Sequence, residues 1–98
     1  MTFHEFVGMR WAEVEKRLSL PKGTVQVTWE IKDGYPHFKK KRGYAVCFNF
    51  PNGACHMQYA PKILKAPIDR IDGLVRHEIG HVVDFVIPAH NLDPLKLV

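Results

Sequence analysis

The chain has 98 residues, of which 46% are hydrophobic and 24% charged, and its formal net charge is +4. These values are typical of one globular domain and are compatible with a nucleic-acid partner without requiring one. No run of about 18 uncharged apolar residues is present, and the first residues lack the pattern of a secretory signal, so we expect a single soluble, cytoplasmic domain over residues 1–98.

The first predicted element is a helix over residues 2–19. Its apolar residues recur with the spacing of one helical face, and they are Phe3, Val7, Trp11, Val14 and Leu18. Thr2 and Glu5 have the form of a capping box, which predicts a helix start at this point. Gly8 weakens the first turns, because glycine is a poor helix former, so residues 9–18 form the most secure part.

Three stretches in the middle of the chain have the pattern of strands. Residues 24–31 alternate between apolar and polar side chains, and residues 43–50 and 54–60 follow on either side of a turn. Alternation of this kind indicates strands with one buried face. We therefore expect a small antiparallel sheet of three or four strands.

A basic run, Lys-Lys-Lys-Arg at residues 39–42, lies between the first two predicted strands. Such a run is most often a solvated loop, and we interpret it in that way. The alternative is a contact with phosphate or nucleic acid, for which Phe38 and Tyr44 would be the stacking groups.

The turn between the second and third strands bears on the two cysteines. If Asn52-Gly53 closes a two-residue hairpin, Cys55 pairs with Phe50 and Cys47 with Gln58. The thiols would then be several steps apart along the ladder, so we expect both to be free.

The last predicted element is a long helix over residues 67–87, which Pro88 ends. It carries the broadest apolar stripe in the chain and must therefore pack against the sheet. The stripe consists of Ile68, Ile71, Leu74, Val75, Ile79, Val82, Val83 and Val86. The order helix, strands, helix predicts an α+β fold.

This helix contains the motif His-Glu-x-x-His, with His77, Glu78 and His81. Residues four apart lie on one helical face, so both imidazoles can reach a single ion. The neighbouring Glu78 is placed to take a proton from water at that ion. Imidazole ligands together with an open position favour zinc, so we predict zinc as the cofactor.

The stretch Arg-His-Glu-Ile-Gly-His-Val-Val-Asp-Phe at residues 76–85 resembles the active-site helix of the zincin metallopeptidases, especially small intracellular and phage-type members. The resemblance implies a short sheet whose edge strand lies beside the cleft, followed by the metal helix. It also implies that His77 and His81 are zinc ligands, that Glu78 is the general base, and that the substrate is a peptide or protein.

Zincins have a third protein ligand, and this sequence does not show which residue supplies it. A metzincin continuation is absent, since Ile87 stands at the position of its last ligand, and no Glu follows Glu78. His90 follows the Pro88 turn and is the first candidate within the chain. Asp84 is the competing candidate, although it more naturally orients a ligand. A third candidate is Asp93. A chain truncated before its third ligand, or a degenerate site, is the alternative we favour slightly.

Two functions follow as hypotheses. The first is a minimal zincin that hydrolyses peptide bonds, with Glu78 as general base. The second is a zincin-like fold without hydrolytic activity that acts as a binding module, with residues 39–42 as a nucleic-acid surface.

Overall fold

The computed structural model describes residues 1–33, 43–93 and 95. Its elements are α1 (Phe3–Arg17), β1 (Val27–Ile31), β2 (Ala45–Asn49), β3 (Cys55–Tyr59), a short 3-10 helix (Pro61–Lys65) and α2 (Ile68–Ala89). The predicted α+β order is confirmed. The basic run at residues 39–42 lies outside the described residues. Among the helices of the described ranges, none has the length and apolar character needed to cross a membrane.

The start of α1 confirms the capping box. The Glu5 amide donates to Thr2 Oγ1 at 3.1 Å, and the Thr2 amide donates to Glu5 Oε1 at 3.4 Å. The helix runs through Gly8 without interruption. A Cβ atom at Gly8 would lie 3.3 Å from Cζ2 of Trp29. Gly8 therefore lets the Trp29 indole approach the helix backbone, which outweighs its poor helix propensity.

The sheet has the strand order β1-β3-β2, with β1 parallel to β3 and β2 antiparallel to β3. The expectation of an antiparallel sheet was therefore wrong, and the sheet is mixed. The central strand β3 is the most buried of the three, and its residues Cys55, Met57 and Tyr59 are at most 1% exposed. Alternating hydropathy fixes which face of a strand is buried but does not fix the direction of its neighbour, so the pattern could not distinguish the two arrangements.

The turn between β2 and β3 also differs from the prediction. The Phe50 amide donates to the Ala54 carbonyl at 2.9 Å, so residues 51–53 form a three-residue connection. Gly53 in this connection has φ of +86°, a left-handed conformation that favours glycine. The additional loop residue shifts the register by one position relative to the expected pairing.

The register brings the two cysteines to one face of the sheet. Cys47 pairs with Met57, and Cys55 pairs with Asn49. Asn49 Oδ1 accepts from both thiols, at 3.7 Å from Cys47 Sγ and 3.4 Å from Cys55 Sγ. The cysteines are thus closer than expected, and the prediction that both are free is confirmed.

One hydrophobic core lies between the sheet and the two helices. Its contributors from α2 are Val75, Ile79, Val82 and Val86, which follow the predicted stripe. The helix ends at Ala89, and Pro88 lies in its last turn rather than beyond its end. Burial of this stripe places one flank of α2 beside β2, which positions the motif described next.

Candidate metal centre

The side chains of His77, Glu78 and His81 form one compact group on α2. Their ligand atoms all lie within 4.8 Å of one another. The two Nε2 atoms are 3.1 Å apart, and the rings meet edge to face with their centroids 4.7 Å apart. The helix produces this arrangement because residues four apart lie one above the other.

The two imidazoles fit a tetrahedral zinc ion. Two nitrogen ligands at the usual Zn–N distance of about 2.05 Å are about 3.3 Å apart in a tetrahedral site. The observed 3.1 Å separation of the Nε2 atoms is close to this value. It also suits an N–H···N hydrogen bond, so a metal-free protein can hold the same rotamers. Both histidines are exposed, which leaves the ligand atoms open to an ion from solvent.

Glu78 differs from the histidines because it is buried, with 8% of its surface exposed. Within the described chain its carboxylate has no hydrogen bond or ion pair with another side chain or with the backbone. Burial raises the pKa of the Glu78 carboxyl, and the neighbouring His81 and His77 only partly oppose this effect. Glu78 lines the open cleft beside α2, so its carboxylate is accessible to a water or a cation there.

An open cleft of about 550 Å³ separates this part of α2 from the edge strand β2. Its wall on α2 includes Glu78 and His81, and its wall on β2 includes Cys47. Burial, and then the charges of Cys55 and Glu78, raise the pKa of the Cys47 thiol to about 12. Cys47 is therefore a neutral thiol at physiological pH. The sequence did not predict the place of Cys47 in the cleft, because the cleft forms where α2 lies beside β2 and this packing has no local sequence pattern.

The three candidates for the third ligand lie in different places relative to His77 and His81. Asp84 is exposed, lies three residues after His81 and lines the same cleft. His90 is the C-terminal cap of α2, and its Nε2 lies 3.2 Å from the carbonyl oxygen of Gly53. Nine residues of helix place His90 about 13 Å beyond His81 along the axis. Asp93 Oδ1 accepts from the Leu95 amide at 3.0 Å. Within the described ranges, Glu78 is the only other possible ligand that lies in one group with His77 and His81.

A charged cluster just before the motif joins α2 to α1. Asp72 Oδ1 accepts from Arg10 Nε at 2.8 Å and from Arg76 Nε at 3.1 Å. Desolvation raises the pKa of the Asp72 carboxyl, but the hydrogen bonds and charges of Arg76 and Arg10 outweigh it, and the net effect is a lowered pKa. This cluster fixes the turn of α2 that precedes His77.

No family model, no curated protein and no solved structure matches this chain. The geometry of His77, Glu78 and His81 therefore carries the functional interpretation.

Proposed function

We propose that this protein is a zinc-dependent metallopeptidase of minimal zincin type, in which His77 and His81 hold the metal and Glu78 is the general base. The observation that carries the proposal is the pair of Nε2 atoms 3.1 Å apart beside Glu78, a residue that is 8% exposed and lines the open cleft.

The chemistry assigned to the chain is proton transfer by Glu78. Zinc, when bound, supplies a Lewis acid that polarises a carbonyl and lowers the pKa of water. The Glu78 carboxylate takes the proton of the attacking water and delivers it to the leaving amine. Burial raises the pKa of the Glu78 carboxyl toward neutral pH, and a group whose pKa is near the working pH can both accept and return a proton.

The edge strand β2 supports a peptide as the substrate. In the described sheet, β2 is an edge strand that pairs with β3 on one side, and several of its residues line the cleft. An extended peptide can add to such an edge through main-chain hydrogen bonds. This pairing would bring a peptide bond past Glu78 and His81, which line the cleft.

We propose Asp84 as the first candidate for the third zinc ligand within the chain. Among the residues within the chain, the geometry favours Asp84 over His90, since Asp84 lines the cleft of His81 while the His90 ring contacts Gly53. A ligand from outside the described group remains the alternative, because catalytic zinc sites use three protein ligands.

The metal content of the purified protein tests the proposal. We expect about one equivalent of zinc in wild type purified without added metal, and less than about a tenth in His77→Ala and His81→Ala. His4→Ala is the matched control, because His4 is also exposed but lies on α1. Wild type with less than about a tenth of an equivalent, or retention of zinc in His77→Ala, would contradict the metal site.

The role of Glu78 needs a separate experiment. Glu78→Gln keeps the shape of the side chain and removes the base, so we expect retained zinc and peptide cleavage reduced by at least about 100-fold. Equal cleavage by the variant and wild type would contradict the assigned role.

One observation favours a second candidate function, a zincin-like fold that binds nucleic acid without hydrolysis. The Tyr44 ring lies 4.5 Å from Lys62 Nζ and 5.2 Å from Arg70 Cζ, which combines an aromatic ring with two cations. The basic run at residues 39–42 ends two residues before Tyr44 in the sequence. Salt-sensitive binding to single-stranded nucleic acid, lost in Arg70→Gln and unchanged in Glu78→Gln, would support this function.

A further inference from the structure

A second concave site lies between α1, β1 and the connection between them. It is an open groove of about 520 Å³, which we term the indole groove. Its walls include Trp11, Ala12, Glu15, Leu20, Lys22 and Trp29. All its described lining residues come from these segments, so the indole groove is separate from the metal centre on α2.

The position of the Trp29 indole is fixed by its neighbours. Its Nε1 donates to the carbonyl oxygen of His4 at 3.1 Å, and the two rings lie 5.0 Å apart. Gly8 provides the room that this ring needs, since a Cβ there would be 3.3 Å from Cζ2. Trp11 is 5% exposed and is held in the core. Two indoles thus line the groove in fixed positions.

Glu15 places a carboxylate in the same groove. It is 9% exposed, and its Oε2 accepts from the Gly23 amide at 3.3 Å. Within the described chain Glu15 forms no ion pair. This includes Lys22, which also lines the groove but does not pair with Glu15. The Glu15 carboxylate thus has one hydrogen bond and no ion pair in the described chain, which leaves it able to pair with a cation in the groove.

We propose that the indole groove binds an organic ammonium group, such as an alkylammonium or a quaternary ammonium. Indole rings attract cations more strongly than other aromatic side chains do, through the negative potential of their faces. Glu15 supplies the countercharge, and Ala12 and Leu20 provide an apolar surface for the alkyl part of the ligand. The charge and the apolar walls together select a cation with a hydrophobic body.

The protein carries its own probe for this site. Its two tryptophans, Trp11 and Trp29, both line the groove, so intrinsic fluorescence reports on its occupancy. We expect a saturable change on titration with choline at constant ionic strength. The neutral isostere 3,3-dimethylbutan-1-ol should bind at least about fivefold more weakly, since it lacks the charge.

Two variants distinguish the proposed site from a purely structural role of Glu15. Glu15→Gln retains an acceptor for the Gly23 amide and removes the charge, and it should weaken choline binding at least about fivefold. Ala12→Leu leaves every charge in place and narrows the groove, and it should weaken choline binding while circular dichroism and zinc content stay unchanged.

Three results with wild type and Glu15→Gln would overturn the proposal. The first is the absence of a saturable response to choline up to about 100 mM, and the second is equal binding of choline and the alcohol. The third is choline binding at wild-type affinity in Glu15→Gln. If Glu15→Gln does not fold, Ala12→Leu decides the question, and unchanged choline binding in that variant overturns the proposal.

Discussion

Replacement of Gly53 by alanine perturbs both the β2–β3 turn and the end of α2. Gly53 has φ of +86°, a conformation that side chains with a Cβ rarely adopt. A Cβ at this position would lie 2.7 Å from His90 Nε2, which is too close for any stable contact. The His90 ring must therefore move away and lose its 3.2 Å contact with the Gly53 carbonyl.

The magnitude follows from these two effects. A residue other than glycine in the left-handed region costs about 1–2 kcal/mol. Loss of one part-buried hydrogen bond costs about 1 kcal/mol. We therefore expect Gly53→Ala to lower the free energy of unfolding by about 2–3 kcal/mol.

A double-mutant cycle measured by urea unfolding separates the two contributions. In a His90→Ala background the clash and the hydrogen bond are both absent, so Gly53→Ala should cost only about 1–2 kcal/mol, with a coupling of about 1 kcal/mol. A cost that is the same in both backgrounds, to within about 0.3 kcal/mol, would refute the placement of His90 against Gly53.

The His90→Ala variant also tests whether His90 is a zinc ligand. His90→Ala should leave the zinc content unchanged if the ring contacts the turn and not the ion. Loss of zinc in His90→Ala, with the fold intact, would instead identify His90 as a ligand.

Three further predictions concern charge, packing and thiol chemistry. Because the pKa of Asp72 is lowered, its ion pairs stabilise the fold above the ordinary carboxyl pKa near 3.8, and this stabilisation is lost as the pH falls through the lowered pKa of the folded protein. Urea unfolding should therefore show Asp72→Asn to be less stable than wild type at pH 7 and equally stable near pH 2. Equal stability at pH 7 would contradict the stabilising role of these ion pairs. Gly8→Ala gains up to about 1 kcal/mol of helix propensity but places its Cβ 3.3 Å from Trp29, so we expect a shift in tryptophan emission and no net gain in stability. The pKa of about 12 for the Cys47 thiol predicts slow labelling by a disulfide reagent at pH 7 in the native protein and rapid labelling after unfolding. Rapid labelling of the native protein would contradict the raised pKa.

Local signals predicted the elements well, and long-range pairing was the part that they could not supply. The capping box at Thr2 and the apolar stripe of α2 each depend on residues that are close in sequence, so both could be predicted from the sequence. The parallel pairing of β1 with β3 depends on which strand occupies the centre, and hydropathy alternation is the same for either direction.

The candidate site shows the same division. The spacing of His77 and His81 on a helix was sufficient to predict that their Nε2 atoms lie together. The place of Cys47 in the cleft depended on how α2 packs beside β2, and the contact of His90 depended on how the end of α2 meets the β2–β3 turn. Neither arrangement has a local signature, because each joins segments that are far apart in sequence.

An anomalous difference map at the zinc edge would show whether His77 and His81 bind one zinc ion. Crystals grown with one equivalent of zinc should show a single strong peak about 2.0–2.1 Å from Nε2 of both residues, with Glu78 beside it. Such a map would also identify the remaining ligand. A zinc peak held by other residues, or no peak at these two nitrogens, would contradict the account.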